Sequence, residues 1–198
     1  MLMTITWGLL ALVVMLGFWS VLVYNRLVQS RNRIANAFAQ IDVQLKRRHD
    51  LVPNLVEVAR GYLKHEAATL EAVIKARGAA QSATDAARAH PVDAASIGAL
   101  AVAESGLLGS LGRLMAVAEN YPDLKADATM HQLSEELAST ENRLGFARQA
   151  YNDQVLEFND EATQFPALIV ARLLAFTPAA MLQATQGDEE RAAPQVRF

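Results

Sequence analysis

The sequence predicts an all-α protein: a single N-terminal transmembrane helix continuing into an antiparallel bundle of four long helices, then a short amphipathic C-terminal helix. Three observations predict it. An uncharged, almost wholly apolar run occupies Trp7 to Tyr24, within 25 residues free of charged side chains. Beyond it, apolar residues recur at spacings of three and four, the period of one helix face. Alanine is abundant, aromatics are only 7% and prolines number six, which favours long helices over sheet.

The 198 residues suffice for one buried core but hardly for two. Mean hydropathy is +0.12, with most of the apolar excess in the first 25 residues. Cysteine is absent, which excludes disulfide frameworks, cysteine nucleophiles and thiolate zinc sites. A net charge of -3 argues against a whole-chain nucleic-acid binder.

The first element, residues 1–25, reads as a short N-terminus and an anchor. The run from Trp7, with Met1 to Thr6, spans roughly 30 Å of hydrocarbon. No Lys or Arg precedes it, and Phe18-Trp19 and Val23-Tyr24 stand where a cleaved signal would need small residues. Trp7, Trp19 and Tyr24 suit the two membrane interfaces. Arg26, Arg31, Arg33, Lys46, Arg47 and Arg48 follow the span against a single Asp42. That asymmetry predicts an outside N-terminus and a body in the cytoplasm. Arg26, Arg31 and Arg33 lie close enough to the bilayer to attract lipid headgroups.

The body, residues 26–165, follows in four helices. Leu27, Ile34, Phe38, Ile41 and Leu45 form the first stripe, with no Pro or Gly between Ser20 and Asp50. Asp50 reads as the N-cap of a second helix, with Pro53 in its first turn. Its stripe is Leu51, Leu55, Val58 and Tyr62, then Leu70, Val73 and Ile74, fading through Gly78 to Ala89 before the loop at His90-Pro91. A third helix starts near Asp93 with the stripe Ile97, Leu100, Glu104, Leu107, Leu111, Leu114 and Ala118. Gly98, Gly106, Gly109 and Gly112 lie beside it, and close backbone approach is expected to offset their low helix propensity. Asn120-Tyr121-Pro122 ends it. The fourth helix runs from about Ala128 to Gln164 on Leu133, Leu137, Thr140, Leu144, Ala147, Tyr151, Val155, Phe158 and Ala162. An up-down bundle of these four returns the chain toward the bilayer. There residues 166–184 suit a helix on the membrane surface, with Phe165, Leu168, Ile169, Leu173 and Phe176 as its apolar side. Packing on the bundle base or a second span are the alternatives. Residues 185–198 read as a polar tail.

The string Gln40-Ile41-Asp42-Val43-Gln44-Leu45-Lys46-Arg47-Arg48-His49-Asp50-Leu51-Val52-Pro53-Asn54-Leu55-Val56, followed by Gly61-Tyr62-Leu63-Lys64-His65-Glu66, closely resembles the LemA family of bacterial membrane proteins. Asn120-Tyr121-Pro122-Asp123-Leu124-Lys125-Ala126, Thr140-Glu141-Asn142-Arg143, Tyr151-Asn152-Asp153, Phe165-Pro166 and Pro194-x-Val196-x-Phe198 extend the likeness over nearly the whole chain. The resemblance implies a single-span anchor, a helical bundle and a bacterial cytoplasmic (inner) membrane location. The family has no established enzymatic reaction. Its association with membrane proteases, TPM-domain proteins and magnetosome membrane formation implies membrane organisation, by analogy only.

The chemistry-bearing residues leave a short docket. His49, His65, Glu66 and His131 lack the spacing of a zinc site and read as surface and turn residues. The run Lys46, Arg47, Arg48, His49 and Asp50 reads as a membrane-distal turn, about 35 Å past the span. It is expected either to pair with Asp123 or Asp127 or to dock a partner. From Glu119 to Glu161 there are ten acidic and three basic residues, whereas 26–48 holds six cations and one acid. These faces are either solvated or paired between adjacent helices or adjacent copies. Val196-Arg197-Phe198 reads as a disordered tail or a strand added to a partner. No nucleophile elbow, phosphate loop or paired catalytic carboxylates are recognisable. The expected function is therefore a non-enzymatic, cofactor-free, metal-free membrane scaffold that self-associates and contacts the lipid bilayer. The alternative is a monomeric adaptor or regulator for a membrane protease or TPM-domain protein.

Overall fold

The computed structural model describes residues 2–183. The expected tail at 185–198, with Val196-Arg197-Phe198, lies outside the described residues. Those residues form six helices and no strand: α1 Leu2–Tyr62, α2 Ala67–Ala89, α3 Ala94–Ala118, α4 Pro122–Lys125, α5 Ala128–Thr163 and α6 Ala167–Leu173.

α1 holds 61 residues, which is about 92 Å at 1.5 Å per residue. From Met3 to Phe18 every side chain is exposed. From Leu27 onward one face is buried, through Ile34, Phe38, Ile41 and Leu45 as the spacing predicts. The expected break at Asp50 is absent, because the buried stripe continues unbroken. Arg48, Val52, Leu55, Ala59 and Leu63 follow Leu45 at spacings of three and four. Two polar residues on that stripe, Arg48 and His49, make it look as though it ends.

Pro53 therefore lies inside α1 rather than in the first turn of another helix. A proline removes the N–H that would bond the carbonyl four residues back. That carbonyl belongs to His49, and Arg77 Nε of α2 donates to it at 2.6 Å. The true distal turn is Leu63 to Glu66, where Leu63 N–H donates to Ala59 O and Glu66 N–H to Leu63 O. α1 thus rises about 57 Å beyond Asn25.

α3 and α5 begin where expected. Asp93 accepts from Ser96 N–H and Asp127 from Met130 N–H, each closing a helix N-terminus. The buried residues of α3 are the seven of its stripe, Ile97 to Ala118. Its glycines differ from expectation. A Cβ added at Gly98, Gly106, Gly109 or Gly112 would meet nothing within 4 Å, because all four sit on the outer face.

Helix directions follow from long-range pairs. Arg26 meets Glu161, Arg33 meets Glu157, and Tyr62 meets Asp127, so α5 runs opposite to α1. Arg88 meets Asp42 and Arg77 meets His49, so α2 also runs opposite to α1. α2 and α3 pack as a hairpin. After α6 the chain turns at Ala175, whose φ of 54° is unusual for a residue with a Cβ. It then lies back along α5. Asn159 and Asn152 each exchange two hydrogen bonds with its backbone, at Ala179 and Leu182.

Candidate functional site

Two places concentrate chemistry, one mid-height in the body and one at the end beside the apolar run. At mid-height a polar layer separates two apolar clusters. One cluster includes Leu45, Ala87, Leu100 and Leu144; the other includes Val52, Ala80 and Leu107. Between them in sequence lie buried Arg48 and His49 of α1, Thr84 of α2, Glu104 of α3 and Thr140 of α5.

Arg48 is only 2% exposed. Its Nη1 donates to Glu104 Oε2 at 2.6 Å and its Nη2 to Glu141 Oε2. His49 Nε2 lies 2.8 Å from the other Glu104 oxygen. Burial lowers the Arg48 pKa, Glu104 opposes that shift, and Arg148 adds to it. Guanidinium stays charged even so. One cation thus ties α1 to α3 and α5. The expected partners Asp123 and Asp127 stand instead at the far end, where Asp127 accepts from Tyr62. The expected turn Lys46 to Asp50 is a helical segment, since its stripe positions are filled and the chain has no reason to reverse there. Only Lys46, Arg47 and Asp50 of that run face solvent, and Arg47 approaches Glu136 at 3.7 Å.

The spacing of apolar residues puts Glu104 on the buried stripe of α3 but assigns it no role. The signal was present: a carboxylate on an apolar face needs a cation, and three residues past Leu45 comes Arg48. Arg77, Asn152 and Asn159 gave no such signal, because their partners are backbone atoms fixed only by the fold.

The second place, at the end beside the apolar run, is built from α1, the end of α5 and α6. Arg26 Nε donates to Glu161 Oε1 at 2.9 Å. Past Glu161, α5 descends alongside the apolar run, so Phe165 shares a cleft with Trp19 and Val23. Phe165 is 80% exposed and Leu173 78%. Ile169 is exposed as well, Leu168 is half-buried, and Phe176 packs edge-on against Tyr24 at 5.9 Å between ring centroids. The apolar side chains expected at the bilayer are thus gathered beside the end of the apolar run. Trp7 is exposed far along α1, and Trp19 is half-covered. Arg31 lines a second hollow of about 500 Å³ with Tyr24, His90, Asp93 and Phe176. Tyr151, whose phenol is held protonated by burial, lies 2.9 Å from both Pro91 O and Ala180 O and ties the α2–α3 loop to the returning chain.

His65, Glu66 and His131 do not converge with His49. No group of three or more His, Cys, Asp or Glu able to hold a metal occurs among the described residues.

A family model described as the LemA family matches residues 37–198. The chain belongs to the LemA family. The matched region starts after the apolar run, so the membrane reading of Trp7 to Tyr24 rests on that run's own composition. This LemA-family chain is 33% identical over 99 residues to Magnetosome protein MamQ 2 of Paramagnetospirillum magneticum, covering 50% of this chain and 36% of that protein. It is 28% identical over 162 residues to Protein LemA of Metamycoplasma hominis, covering 82% and 69% respectively. The matched stretch thus spans about a third of the MamQ relative's length.

Proposed function

We propose that this LemA-family chain is a non-enzymatic membrane scaffold that self-associates and organises membrane or partner membrane proteins. Residues 2–25 are its single-pass anchor in the bacterial cytoplasmic membrane. α1, α2, α3 and α5 form an antiparallel bundle standing in the cytoplasm, with the N-terminus outside. The exposed apolar run, Trp7 and Trp19 near its ends, and the cations confined to its C-terminal side support this orientation. The likeness to a magnetosome protein supports a role in membrane organisation.

The observation that carries self-association is the outer face of α3. Val102 is 59% and Leu108 41% exposed there, beside four glycines with open space above them. Each glycine weakens the helix by about 1 kcal/mol relative to alanine. A flat apolar face suits close approach by another helix. The complementary charges of α1 and α5 do not supply this contact, because they pair within the chain. The test is the mass of the full-length protein in mild detergent, beside a chain beginning at Asn25. Both are expected to form a discrete assembly that Gly106→Leu or Val102→Glu dissolves. Monomers in both cases refute self-association.

The second reading is a monomeric adaptor for a membrane protease or TPM-domain protein. The exposed Lys46, Arg47 and Asp50 favour it as a docking patch. It predicts a stable hetero-complex that is lost when Lys46 and Arg47 are neutralised.

A further inference from the structure

Between α1 and the α5–α6 turn lies a cleft of about 220 Å³. Its α1 wall is Trp19, Val23, Arg26 and Leu27. Trp19 to Arg26 is about 10 Å along the axis, and the apolar run ends between them at Tyr24. The opposite wall descends in step, with Glu161 level with Arg26 and Phe165 lower, at the apolar end. The cleft therefore crosses from acyl-chain depth to headgroup depth.

Its polar end is an incomplete ion pair. Arg26 Nε and Nη2 both reach a single oxygen, Glu161 Oε1, each at 2.9 Å. Glu161 Oε2 is buried and has no hydrogen-bond partner. An unmet buried carboxylate oxygen is costly. The terminal torsion of glutamate is soft, so the carboxylate can turn Oε2 toward the cleft, giving up part of the Arg26 contact to Oε1 that a bound phosphate would replace. Arg26 is 72% exposed and keeps Nη1 for a further acceptor. The cleft thus offers one donor and one acceptor of opposite charge, with no net charge.

We propose that this cleft binds the headgroup of an aminophospholipid, with the phosphate on Arg26 and an N–H-bearing ammonium on Glu161. This rests on the membrane-anchored reading above. Charge balance favours a zwitterion, because an anionic headgroup would set a negative charge beside Glu161 and bring no donor for its Oε2. Hydrogen bonding favours ethanolamine over choline, because a quaternary ammonium has no N–H to give Oε2. Trp19 and Phe165 flank the glycerol and first acyl carbons.

The test uses the full-length protein in mild detergent with lipids of identical acyl chains, read by native mass spectrometry. The headgroups are ethanolamine, N-methylethanolamine, N,N-dimethylethanolamine, choline and glycerol. Retention is expected to stay high while one N–H remains, and to fall roughly tenfold at choline, as loss of a charged hydrogen bond predicts. The anionic glycerol lipid should do no better than choline. This series varies only the lipid, so it needs no variant that must fold. Glu161→Gln, checked for native helix content, should abolish the ethanolamine preference, whereas Arg33→Gln one turn pair away should keep it. Equal retention of ethanolamine and choline, preference for glycerol, or an undiminished preference in Glu161→Gln overturns the proposal. The membrane reading fails separately, if the full-length protein does not float with pure choline vesicles.

Discussion

Pro53 breaks the hydrogen-bond ladder of α1, and Arg77 repairs it from a different helix. The guanidinium donates to His49 O, the carbonyl that a residue with an N–H at position 53 would have satisfied. This makes the two positions a coupled pair. Arg77→Met should destabilise the protein by about 1–3 kcal/mol, the cost of an unmet buried acceptor. In a Pro53→Ala background the backbone supplies the bond, and the same substitution should cost much less. Equilibrium unfolding of the four proteins measures the coupling; additive effects would refute it. The adjacent residue, Arg48, is buried against Glu104 and the half-buried Glu141. Such clusters add little net stability but penalise wrong registers, because a slipped helix leaves a buried charge alone. The His49 carbonyl and the Arg48 guanidinium come from adjacent residues, so α2, α3 and α5 all brace α1 where its own ladder is broken.

At the scale of elements, caps and stripes account for most boundaries. Asp127 begins α5 and also receives the Tyr62 hydroxyl from the end of α1. The Met130 N–H, then the Tyr62 hydroxyl, hold the Asp127 carboxyl below its ordinary pKa, and Ser96 does the same for Asp93. A carboxyl with a depressed folded pKa stabilises the fold fully above its unfolded value, about 4. That contribution disappears as pH falls through the folded value. Thermal midpoints should therefore stay level from neutral pH to about 4 and drop below it. In an Asp93→Asn, Asp127→Asn protein the acid-side drop should be shallower; an identical drop would sink the assignment. Stripe residues of α3 and α5 were legible because their partners are apolar and only burial matters. The α1–α2 turn was not legible. Gly61 and His65-Glu66 are weak stop signals, and Asp50-x-x-Pro53 imitates a strong start signal.

The whole molecule has a polar body and one end where an exposed apolar helix meets further exposed apolar side chains. α1 carries the exposed apolar run and the bundle's longest face in one continuous helix, Leu2–Tyr62. The turn after α5 brings Phe165 into a cleft with Trp19, and α6 exposes Ile169 and Leu173 nearby. A chain beginning at Asn25 should consequently still bind vesicles through this second apolar element. Burying Phe165 alone is worth about 1.5–3 kcal/mol. Phe165→Ser should weaken vesicle binding of that truncated chain at least about tenfold. Cosedimentation measures it, and no change would place α6 away from lipid.

Composition and period determined that this chain is helical, where the uncharged run lies, which residues of α3 are buried, and most of those in α5, where Leu133, Leu137 and Ala147 are only half-buried. These are local properties, set by side-chain polarity repeated at helical spacing. Tertiary structure decided where α1 ends, that Arg48 and His49 are interior, that the α3 glycines face outward, and that Glu161 meets Arg26. Each depends on a partner far away in the chain. A polar residue on an apolar stripe reads as a gap until the opposite charge arrives from another helix.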